Sequence, residues 1–117
     1  MANAIKEKSF AFAVRIVKLD RFLREKKGEF VLSKQLLRCG TAIGALVREA
    51  EQAESKSDFA HKLSIALKEA NEADYWLELL KETEYLTAHG FQSIRGDLLE
   101  LLKLLTSIIQ SAKRAQP

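Results

Sequence analysis

Asp58 and His61, in the stretch "DFAH", stand three residues apart, so a helix presents their carboxylate and imidazole from a single turn. That is one of the two carboxylate-x-x-His pairs of a carboxylate-bridged di-iron bundle, which also needs the second pair and two further inward glutamates. The second pair is missing. His89 falls at the far end of the same periodic block from His61, and Cys39 sits on an apolar stripe with no histidine held near it. No nucleophile with an attendant base is assembled, and no phosphate-binding loop or zinc-protease motif occurs. Cys39 therefore reads as a small buried hydrophobe. The expectation is a non-enzyme that carries no metal and no cofactor.

Charged residues are more informative than candidate nucleophiles. In "IALKEANEADYWLELL", Ile65, Glu69, Glu72, Trp76 and Leu79 recur at helical steps, so large apolar groups share a face with two carboxylates. Glu69 and Glu72 repel each other unless a cation approaches, and Lys68 reaches only along the surface. Arg15, Arg38 and Arg48, on other segments, suit a forked grip on a carboxylate. One reading is a polar network of Arg38, Glu49, Glu69 and Glu72 between helices or subunits, with Tyr75 and Trp76 packed beside it. Its role is register and partner choice more than stability. The other is a pair of exposed carboxylates beside a half-buried Trp76.

A second feature is charge segregation. The formal net charge is +3, yet residues 1–28 hold eight Lys or Arg against three acids, and residues 57–90 hold three against seven. Lys6, Lys8, Arg15, Lys18, Arg21, Arg24, Lys26 and Lys27 in the first segment, with Lys113 and Arg114 at the tail, form a candidate footprint for the phosphates of RNA or DNA. Glu7, Asp20 and Glu25 dilute it, and the sequence shows no aromatic-rich stacking platform beside it.

These residues need elements to position them, and the apolar spacing supplies four. Ile5, Ser9, Phe12, Ile16, Leu19 and Leu23 predict a helix over about residues 3–27, stopped at Gly28 after the cations of "REKKGE". Leu32, Leu36, Cys39, Ile43, Leu46, Ala50 and Ala53 predict a second over about 33–54, with Ser33 as N-cap. Phe59, Leu63, Ala66, Ala70, Ala73, Leu77 and Leu80 predict a third over about 58–88, capped by Ser57 or Asp58 and ended at Gly90. Ile94, Leu98, Leu101, Leu105, Ile108 and Ala112 predict a fourth over about 92–114. Short connections make this an all-α, antiparallel up-down-up-down four-helix bundle occupying residues 1–117 as a single domain.

The helices carry more apolar surface than one core needs. Phe10, Val14 and Val17, Ile65, Trp76 and Leu79, and Leu99, Leu102 and Ile109 lie beside the primary stripes. Gly40 and Gly44, one turn apart, each cost about 1 kcal/mol relative to Ala and imply close approach of another helix. Exposed patches of this kind are uncommon in monomers, so the expected partner is a second copy, in a homo-oligomer; the open alternative is that wide helix faces bury these groups in their own core.

Composition fits a globular chain that needs no disulfide: 47% of residues are apolar, 30% are charged, and Cys39 is the single cysteine. Lys6, Glu7, Lys8, Arg15, Lys18 and Asp20 interrupt the first twenty residues, leaving neither a signal-peptide core nor a membrane span. The expected location is the cytoplasm.

Residues 32–86, with "QLLR", "TAIGALVREA", "SKSDFAHKLSIALKEA" and "YWLELL" in order, resemble the four-helix-bundle family named for open reading frames in the intervening sequences of bacterial 23S rRNA genes. Where members typically carry Ser-Ile-x-x-Asn-Ile, this chain has Ala42, Ile43, Leu46 and Val47. More distantly it is similar to the accessory proteins of diversity-generating retroelements. The resemblance implies a homopentameric ring with a central channel and a nucleic-acid or ribonucleoprotein accessory role, RNA foremost. The rival expectation is a protein-binding adaptor or scaffold without nucleic-acid binding.

Overall fold

A computed structural model describes residues 3–114; residues 1, 2 and 115–117, including the end of the polar tail, lie outside the described residues. Among the described residues there are four helices and no strands: α1 Asn3–Lys27, α2 Leu32–Glu51, α3 Lys56–Glu82 and α4 Ala88–Arg114. Partner positions run in opposite directions along each neighbouring pair. Gly40 faces Ile16 and Gly44 faces Ser9 across α1 and α2, while Arg38 reaches Glu72 and Lys62 reaches Glu49 across α2 and α3. Arg95 meets Asp74 and Phe91 lies under Lys81 across α3 and α4, and Lys8 meets Glu100 while Arg15 meets Asp97 across α1 and α4. Every adjacent pair is therefore antiparallel. The diagonal pairs stay apart, and the α1–α4 seam is the loosest.

The core follows the expected stripes with one drift. In α2 the buried positions are Ser33, Leu36, Cys39, Gly40, Ile43, Val47 and Ala50, so Val47 takes the place expected of Leu46, which is half-buried. In α4 Ile109 replaces Ile108 in the same way. A straight helix turns once per 3.6 residues, so a strict heptad stripe slips about 20° per repeat and the core position moves one residue on. Ile109 is consequently part of the protomer core and not surplus surface. The close approach that Gly40 and Gly44 imply is made by α1 of the same chain: a Cβ on Gly40 would lie 2.8 Å from Ile16 Cγ1, and one on Gly44 3.3 Å from the Ser9 carbonyl oxygen.

The end of α2, at Glu51, and the start of α4, at Ala88, both come earlier than the sequence expectation, and at three further helix ends a side chain or backbone bond that composition does not announce decides the boundary. α2 is capped by Glu29 and not by Ser33: the Glu29 carboxylate accepts the backbone N–H groups of Val31, Leu32 and Ser33 at 3.0, 2.9 and 2.7 Å. α3 begins earlier than expected, because Ser55 is the N-cap and its Oγ accepts the Asp58 N–H at 3.0 Å, while the Asp58 carboxylate accepts the N–H of the preceding residue, Glu54, at 3.2 Å. α3 also ends at Glu82, well before Gly90. Glu84 adopts φ 67°, the Tyr85 N–H reaches the Leu80 carbonyl at 2.9 Å and the Glu84 N–H reaches Lys81 at 3.0 Å, which closes a Schellman turn with a non-glycine left-handed residue. Gly90 lies in the first turn of α4, where its N–H donates to Thr87 Oγ1 at 3.0 Å. The stop at Gly28, φ 63°, is where the sequence put it.

Candidate nucleic-acid interface

The eight cations proposed on α1 do not share one fate, because the helix turns them towards different neighbours. Lys6 points to α2 and pairs with Glu51 at 3.4 Å. Lys8 and Arg15 point to α4: Lys8 meets Glu100 at 3.0 Å, and Arg15 donates to Asp97 at 2.8 Å, Ser93 Oγ at 3.0 Å and the Ser93 carbonyl at 3.2 Å. Arg24 donates to Asp20 one turn back on α1 at 3.0 Å. Among the described residues Lys18, Arg21, Lys26 and Lys27 have no carboxylate within pairing distance, and Lys27 Nζ lies 5.9 Å from the centre of the Phe22 ring. All four are exposed. The unpaired cations thus gather in the second half of α1, and the first half is largely matched by acids of α2 and α4.

Between α1 and α2 runs a second surface. Phe10, Val14 and Val17, spaced four and three apart on the outer side of α1, are 55%, 38% and 40% exposed. The Arg48 guanidinium stacks over the Phe10 ring at 5.3 Å, so Arg48 serves an aromatic face and not a carboxylate. Phe30 and Val31, in the α1–α2 connection, are exposed as well.

The α2–α3 network exists within the chain, with one member fewer than expected. Arg38 Nη1 donates to Glu69 at 3.2 Å, Arg38 Nη2 donates to Glu72, and Trp76 Nε1 donates to the same Glu72 oxygen at 2.9 Å. Glu49 stands apart and accepts from Lys62 Nζ at 3.1 Å. The reason is register: Glu49 is eleven residues beyond Arg38, about 16 Å along α2, and faces the beginning of the antiparallel α3. Partial desolvation disfavours the Arg38 charge, but the Glu72 and Glu69 carboxylates outweigh it and hold the guanidinium pKa above its ordinary value. Tyr75 meets Trp76 edge-on with ring centres 5.0 Å apart and remains exposed.

Residues with nucleophilic or metal-binding chemistry are dispersed. Cys39 is fully buried, its thiol pKa pushed up to about 12 mainly by that burial. His61 and His89 are exposed near opposite ends of the bundle, Asp58 is engaged in the α3 cap, and no group of three or more His, Cys, Asp or Glu gathers among the described residues. Among the described residues no helix is long and apolar enough to cross a membrane.

A family model described as 23S rRNA-intervening sequence protein matches residues 1–107. The chain is also similar to a protein of unknown function from the S23 ribosomal protein family of Bacteroides thetaiotaomicron VPI-5482, whose crystal structure was determined at 1.70 Å resolution. The two superpose with a TM-score of 0.91 at 60% sequence identity, over 92% of this chain and 96% of that one. No curated protein matches.

Proposed function

This chain belongs to the 23S rRNA-intervening sequence protein family, and from that premise we propose that it is a non-enzymatic, homo-oligomeric RNA-binding or ribonucleoprotein accessory protein of the cytoplasm. The observation that carries the reading is the set of exposed cations without acid partners, Lys18, Arg21, Lys26 and Lys27, along the second half of α1. Phosphate contacts supply sequence-independent affinity, and repeating the same cations in every copy of an oligomer multiplies it. The assembly proposed is a ring, a pentamer by family resemblance, and the apolar stripe of Phe10, Val14 and Val17 supports burial of α1 against a second copy.

The test is a shift assay with labelled RNA across a salt series. Binding at low salt that weakens steeply as salt rises supports the reading, with a slope of about 0.7 per phosphate neutralised for a single strand. An absence of binding at low salt removes it.

A protein-binding scaffold is the second reading, favoured by Phe30 and Val31, 60% and 72% exposed at the end of the bundle. It predicts capture of a protein partner that high salt does not release, with no RNA shift.

A further inference from the structure

Phe22 and Tyr85, far apart in sequence, line one cleft at the end of the α1–α4 seam, with Tyr85 partly buried against the core and Phe22 exposed. The cleft encloses about 450 Å³, in the range of small-ligand sites, and Lys27 and Glu84 stand at its walls. A second hollow of about 300 Å³ continues down the seam, lined by Lys18 and Arg15, and shares Leu86 and Gly90 with the first. The groove exists because α1 and α4 touch least of the neighbouring helices and because Gly90 brings no side chain to the wall.

We propose that this groove binds single-stranded RNA, with an unstacked base against Phe22 and Tyr85 and the adjoining phosphates on Lys27 and Lys18. The inference rests on the RNA-binding reading above and names the site and the form of RNA. Its components are those of sequence-tolerant single-strand binding: a cationic groove that tracks the backbone and aromatic faces on which bases stack. Phe22 is 43% exposed, so its ring is available. Lys18 has no acid partner among the described residues, and Lys27 approaches only the Phe22 ring. Nine residues of α1 separate the two lysines, about 13 Å along the helix axis, so they stand at different points along the groove. The two acids have distinct places. Asp97 is already matched by Arg15 at 2.8 Å, so Arg15 contributes little net charge, while Glu84 offers acceptors for ribose hydroxyls, the groups that distinguish RNA from DNA. A duplex keeps its bases stacked and paired, and so has no free base to offer the Phe22 and Tyr85 rings.

The experiment measures fluorescence anisotropy of a labelled 12-nucleotide oligouridylate, and of a duplex RNA of equal length, with the full chain over a salt series. Phe22→Ala is expected to weaken single-strand binding about ten-fold, and Phe22→Leu, which retains apolar bulk without a π face, to weaken it similarly. Lys18→Ala is expected to lower the salt slope by about 0.7, while Lys68→Ala, on the outer side of α3, leaves it unchanged. Circular dichroism checks that each variant keeps its helix content. Tight binding of the oligouridylate with both Phe22 variants indistinguishable from the parent overturns the groove and leaves the RNA reading standing. A preference for the duplex has the same consequence. Failure of either RNA to bind at low salt overturns both.

Discussion

Ser33 donates twice to Glu29 at the start of α2: its N–H to the Glu29 carboxylate at 2.7 Å and its hydroxyl to the Glu29 carbonyl at 2.9 Å. With the Val31 and Leu32 N–H groups on the same carboxylate, this one side chain satisfies donors that an uncapped helix leaves open. Removing it in Glu29→Ala is expected to destabilise the chain by about 1–2 kcal/mol, read from chemical denaturation at pH 7.

The same carboxylate makes a pH prediction. Burial raises its pKa, but the hydrogen bonds from Leu32, Ser33 and Val31 outweigh that and leave it below the ordinary 4.5. A depressed folded-state pKa means that the contribution is complete above about 4.5 and is lost as pH falls through the lower folded value. Glu29→Gln should therefore narrow the stability difference between pH 7 and pH 3 relative to the parent. An unchanged difference would remove Glu29 as a source of acid sensitivity.

Gly40 and Gly96 should respond oppositely to alanine. At Gly40 the new Cβ would lie 2.8 Å from Ile16 Cγ1 in the packed α1–α2 contact, whereas at Gly96 nothing lies within 4 Å. Gly40→Ala is expected to cost about 1–3 kcal/mol through overpacking, and Gly96→Ala to stabilise α4 by about 1 kcal/mol through helix propensity. Thermal and urea midpoints of the two variants decide the point.

Glu72 links Arg38 to the indole of Trp76, the single tryptophan of the chain, so its removal has a direct optical readout. Glu72→Ala should alter the emission of Trp76 and, if the network sets subunit register, lower the assembled mass in light scattering. A changed spectrum with unchanged mass confines the network to the protomer.

Val14 lies in the middle of the exposed α1 stripe between Phe10 and Val17. A charge there, in Val14→Glu, is expected to leave helix content intact and dissociate the assembly to a 13.2 kDa chain. A parent protein that already sedimented at that mass would remove the self-association proposal altogether.

Cys39 is buried and its thiol pKa stands near 12, so alkylation at pH 8 should be negligible in the folded chain and rapid in denaturant. Rapid labelling without denaturant would place the thiol outside the core.

Four helices, their phase and the buried stripe through Leu36, Cys39 and Ile43 were legible in the linear sequence because side chains three and four apart on a helix share a face whatever the rest of the chain does. The same locality explains the stop at Gly28, where a glycine takes φ 63°. Chain order could not disclose the end of α3 at Glu82, since the turn that closes it puts a non-glycine residue, Glu84, in the left-handed conformation, with the Glu84 N–H on Lys81 and the Tyr85 N–H on Leu80. Nor could it disclose which cations remain free: Lys8 and Lys18 are alike in sequence, and only the angle of α1 against α4 turns one towards Glu100 and leaves the other beside the groove. Phe22 and Tyr85 make the same point, because helix spacing determines faces, and only the packing of one helix against another brings distant faces together.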